Sequence, residues 1–122
     1  MRYMPDSEEP KIRLQVKLKS PFTGTQSSAA ASILADGRIQ LDLYDFSDEA
    51  QSSMGNDVAW FWNIDAAHRP RLVKLLEERT CVAIRNDQEL LEAFRQFEDV
   101  HAIRDWLKEM QIPFEEVFDS WA

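Results

Sequence analysis

Two histidines, one cysteine and a surplus of carboxylates are the residues from which this 122-residue chain could build chemistry. His68 and His101 fall on different expected helices, and neither has a second histidine at i+3 or i+4. Zinc needs three or four His, Cys or carboxylate ligands in tight geometry, so no metal is expected at either position. Cys81 lacks a CxxC partner and reads as a buried small apolar residue rather than a nucleophile. The three glycines, Gly24, Gly37 and Gly55, form no GxGxxG, P-loop or GxSxG, so no nucleotide cofactor is expected through those motifs, nor any other cofactor. Asp42, Asp45, Asp48 and Glu49 gather around the third expected strand. Acid–base work would need two of them in one cleft with separated pKa values. A hydrolase using Asp42 and Asp45 is the enzymatic reading; a solvated loop is the plainer one.

The aromatic residues carry more. Trp60, Phe61 and Trp62 are consecutive, and adjacent strand residues point to opposite faces, so all three cannot enter one core. Phe61 and Trp62 are therefore candidates for a partner-binding surface, with loops or the tail covering Phe61 as the alternative. The ending FEEVFDSWA adds Glu115, Glu116, Phe118, Asp119 and Trp121 to that set. Acidic and aromatic groups presented together suit a basic protein surface, although docking of this segment onto its own sheet is the simpler role.

These residues need elements to position them. Ile12, Leu14, Val16 and Leu18 alternate with Arg13, Gln15, Lys17 and Lys19, a period-two strand with one apolar and one basic face. Asp36-Gly37 predicts a type I′ hairpin joining strands Ser28–Ala35 and Arg38–Tyr44. The first of these is rich in small residues, and Ala29, Ala31 and Ile33 would let another element or another chain approach closely, making them dimer-interface candidates. Asp45 to Gly55 is polar and reads as a loop; Asp57 to Ile64 is β-prone. Three helices follow, one capped by Asp65 and running to about Arg79 with Pro70 in its first turn, one from about Asp87, and one capped by Asp99. Phe114 to Ser120 can return as a last strand. The expected fold is α+β: an antiparallel sheet of four to five strands with three helices packed on one face.

Length and composition place residues 11–122 in one domain behind a flexible leader, 1–10. The leader shows no secretory pattern, no apolar run could span a bilayer, and a single cysteine agrees with a reducing compartment, so a cytoplasmic protein without membrane contact is expected. The net charge of -8 is lopsided, about +1 through Tyr44 and -9 from Asp45 onward. That field disfavours nucleic acid and favours a basic protein partner, while an acidic surface kept for solubility is the common alternative.

The stretch VAWFWNIDAAHRPRLVKLLEE, the helix around LLEAFRQF and the ending IRDWLKEMQIPFEEVFDSWA resemble a loosely defined group of small bacterial proteins of unknown function. Those proteins end in a helix, a short WL…IP break and an aromatic tail, and some are organised like immunity proteins of polymorphic-toxin systems. The resemblance covers residues 57–122 and implies no catalytic residue. The leading expectation is a non-enzymatic, acidic protein-binding module, with an immunity protein that neutralises a basic toxin as its specific form. A structural homodimer is the alternative.

Overall fold

The structure, a computed structural model, describes residues 11–21, 27–45 and 57–121. The expected leader, Asp48, Glu49 and the expected loop beyond Asp45 lie outside the described residues. Strands β1 (Ile12–Leu18), β2 (Ser27–Leu34), β3 (Ile39–Asp45), β4 (Asp57–Ile64) and β5 (Glu115–Trp121) form one five-stranded antiparallel sheet in sequence order. Helices α1 (Arg69–Thr80), α2 (Asp87–Phe94) and α3 (Val100–Glu109) intervene between β4 and β5. The arrangement is the expected α+β one, and the C-terminal segment docks on its own sheet as β5 beside β4.

The ladder register sorts side chains into two faces. Leu14, Val16 and Leu18 on β1, Ala29, Ala31 and Ile33 on β2, Ile39, Leu41 and Leu43 on β3, and Trp62 and Ile64 on β4 line one face. They merge with Leu72, Leu76, Leu90, Leu91, Phe94, Ile103 and Leu107 from the helices into a single core. Burial of such apolar surface is the main stabilising term, at about 25 cal/mol per Å². α2 crosses β1 and β2, and α3 lies over β3. Ala29, Ala31 and Ile33, expected as dimer-interface candidates, are thus buried under the chain's own helices. Small side chains on β2 admit α2.

Polar groups fix how the helices sit. Asn86 and Asp99 each accept an N–H at the start of α2 and α3, while Asp65 caps a short 3₁₀ turn, Ala66–His68, rather than α1 itself. Asp87, in the first turn of α2, receives Arg13 at 2.8 Å and also Arg69, which ties β1 and α1 to α2. Arg71 donates to the carbonyls of Met110 and Gln111 and so closes the end of α3, where Gln111 is left-handed with φ 59°.

Three local expectations change. Only Gly37 in the β2–β3 turn has positive φ, 94°, and its N–H donates to the Leu34 carbonyl while Leu34 N–H donates to Arg38. The connection is a longer hairpin loop closed by a glycine, not a two-residue type I′ turn. A bulge between Ile12 and Leu14 then breaks the alternation of β1: it turns Ile12 to the far face and sends Arg13 to Asp87. Cys81 also departs from expectation, being exposed at the left-handed end of α1.

A Cβ on Gly37 would lie 3.3 Å from that of Ala66 in a conformation disfavoured for L-residues. Gly37→Ala should therefore cost about 1–2 kcal/mol, read as a lower denaturant midpoint with an unchanged slope.

Candidate functional site

The sheet's second face carries the candidate site. The register builds it in cross-strand rows: Gln15, Ser32, Gln40, Asn63 and Glu115 form one, and Lys17, Ala30, Asp42, Phe61 and Val117 the next. Ser28, Tyr44, Ala59 and Asp119 follow. No described helix packs over these rows. β3 is the central strand, so its outward residues have occupied strands on both sides, and Asp42 is only 5% exposed. Gln40 and Tyr44 flank it along the strand, and Phe61 and Ala30 face it across the ladders.

The carboxylate is desolvated without compensation. Among the described residues no hydrogen bond or ion pair reaches it, and burial pushes its pKa up to about 7. The polar neighbours are committed sideways: Gln15 donates to the Ser32 hydroxyl, and Gln40 to the Asn63 carbonyl oxygen, each at 2.9 Å. Tyr44 meets Phe61 edge-on at 5.7 Å. Its phenol is pushed above the ordinary range by burial, and further by the negative charges of Asp42 and Asp119. A concavity of about 220 Å³ opens beside Asp42 toward β1, with Gln15, Lys17, Ser28, Gln40 and Tyr44 in its lining. Such a set can grip a cation or a donor-rich group.

Asp42 is not part of a solvated loop, and Asp45 cannot be its catalytic partner. Asp45 shares the parity of Leu41 and Leu43, so the two carboxylates point to opposite faces. His101 sits half-buried, edge-on to Trp62 at 6.0 Å, and is held below the usual histidine range by burial and then by Arg104. No group of three or more potential metal ligands exists among the described residues. None of their helices is long and apolar enough to cross a membrane.

The expected partner-binding residues divide along β5. Phe61, Glu115 and Asp119 stand together on the open face. Glu116 and Phe118 point to the other side, opposite Trp62 and Trp60. There Phe118 is 55% exposed against the Trp60 ring at 5.4 Å, beyond the reach of the helices. Trp62 is fully buried and offers no surface; its indole N–H donates to the Glu116 carboxylate at 2.6 Å. Trp121 ends β5 opposite Asp57, and its side chain lies outside the described part. The desolvation of Asp42 is what sequence reasoning missed. Its central-strand position between Leu41 and Leu43 was the available signal, since an outward residue there is crowded on both sides.

Compared with protein-family models, curated proteins and solved structures, the chain has no match in any of the three.

Glu116→Ala strands a buried indole N–H and should destabilise the fold by about 1–3 kcal/mol, whereas Glu116→Gln, which keeps an acceptor, should cost less; tryptophan-monitored denaturation separates the two. Asp42 sets a second expectation. The fold keeps its proton up to about pH 7, while the unfolded chain releases it near 3.8, so raising the pH across that window favours unfolding. Asp42→Asn should match the wild type at pH 4 and exceed it above pH 7 by on the order of a few kcal/mol, measured by denaturation at both pH values.

Proposed function

We propose that the chain is an acidic protein-binding module that takes a basic partner along β5 and the adjoining open face. The observation that carries this reading is β5 itself, a sheet-edge strand with acidic side chains on both faces. On one side Glu115 and Asp119 flank the row of Phe61 and Val117; on the other, Phe118 stands exposed on Trp60. A free edge offers backbone hydrogen bonds to an added strand, and like charges along it oppose pairing with a second copy of itself. Aromatic groups supply the desolvated contact and the carboxylates steer a positive surface toward it.

The specific form of the reading is a bacterial cytoplasmic immunity protein that neutralises a basic toxin. It draws on the resemblance of residues 57–122, on the acidic balance of the chain from Asp45 onward, and on an interface needing no catalytic group.

Capture from a bacterial lysate should yield one basic partner at low salt that is lost at high salt. Phe118→Ser with Asp119→Lys, both exposed positions, should weaken capture by about tenfold or more while leaving the melting temperature nearly unchanged. A partner held equally well by this double variant would sink the proposal, and recovery of the chain alone would move the reading to a homo-oligomer. The immunity form requires that the captured partner, expressed alone, be toxic, and that co-expression of this chain restore growth.

A further inference from the structure

We propose that the concavity beside Asp42 receives the guanidinium of an arginine side chain carried by the partner protein. This rests on the module reading above and names the partner's anchoring group.

The chemistry of the lining argues for it. Asp42 is 95% removed from solvent, lines the concavity of about 220 Å³, and has no partner of its own among the described residues. A native fold rarely keeps a buried carboxyl without a partner unless something completes it. Each of the two glutamines in the lining spends one amide N–H sideways, on Ser32 and Asn63, and keeps a second, while the Gln15 and Gln40 carbonyl oxygens accept no hydrogen bond among the described residues. Ser28 adds a hydroxyl from β2. The site is therefore rich in acceptors grouped about one carboxylate, and that pattern matches a planar group with five N–H donors better than a compact, strongly hydrated ammonium.

The same site stays tolerable when empty. Below pH 7 burial keeps the Asp42 carboxyl largely neutral, so the free chain then holds little unpaired charge there. An entering guanidinium stabilises the ionised form, and the proton leaves to solvent. The charged and titratable groups facing Asp42 across the open face are Lys17 on β1, Tyr44 on its own strand, and Glu115 and Asp119 on β5. β2 presents none there, nor does β4 between Ala59 and Asn63. Lys17 stands at the rim and opposes a cation. Glu115 and Asp119 lie on the side where the partner docks and attract one.

The test uses the full chain with N-acetyl-arginine amide and N-acetyl-lysine amide as probes, following the Asp42 carboxyl carbon by NMR. The arginine probe should shift that resonance saturably, lower its titration midpoint by at least about one unit, and bind on the order of tenfold more tightly than the lysine probe. Asp42→Asn, isosteric with the neutral acid that the fold already holds, should abolish the probe-induced shifts of the Gln15, Ser28 and Gln40 amide resonances, and Lys17→Gln should strengthen the Asp42 response. No movement of the Asp42 resonance, or an equal response to both cations, overturns the inference. Tighter binding of free arginine than of the blocked form, through Lys17 and the α-carboxylate, would assign the site to a small molecule and overturn it too. A chain that captures a basic partner through β5 and ignores the arginine probe refutes the anchor alone. A chain that answers the probe but captures no partner refutes the module.

Discussion

The pairing of β3 with both β2 and β4 is the constraint from which the other features follow. Once Leu41 lies between Ala31 and Trp62, side-chain alternation sends Ile39, Leu41 and Leu43 beneath the helices and Gln40, Asp42 and Tyr44 to the other face. A slip of one residue would put the Asp42 carboxylate in the apolar core and expose three large aliphatic groups. The register is therefore held by the whole core, and the odd environment of Asp42 is a consequence of holding it. The central strand cannot give its outward residues the solvent that an edge strand would.

The two edges of the sheet behave differently for a related reason. β1 is stitched to the helical layer: its bulge hands Arg13 to Asp87, and the Lys19 carbonyl accepts from Val100 at the start of α3. Among the described residues β5 has no comparable helical cover. It is held by its ladder with β4 and by the bond from the Trp62 indole to Glu116, a charge-assisted contact that uses one of its acidic residues structurally. Phe118 and Asp119 are left outward. Among the described residues the docked edge is left without helical cover, so acidic and aromatic residues of the ending reach the surface together.

Much of this architecture is legible in the residues. The alternation in β3 and β4, the Asp99 cap, the start of α2 near Asp87 and the return of the ending as a strand all follow from local periodicity and capping. Local rules also place Phe61 opposite in sense to Trp60 and Trp62. They miscarry where a single residue changes the backbone path. The bulge at Arg13 inverts the facing of Ile12, which ends up 51% exposed, and the glycine-closed loop at Gly37 replaces a tighter turn. Cys81, taken from its composition as a core residue, caps a helix in a conformation that nothing in its neighbours announces.

By itself the sequence determined the α+β class, the strand and helix order and the lopsided charge, because each depends on residues a few positions apart. Tertiary structure alone decided which strands became edges, that α2 rather than another chain covers Ala29, Ala31 and Ile33, and that Asp42, not Asp45, is the desolvated acid. Those outcomes depend on residues far apart in the chain meeting across ladders and layers. A carboxylate's pKa and a side chain's exposure are properties of that meeting, and no local pattern encodes them.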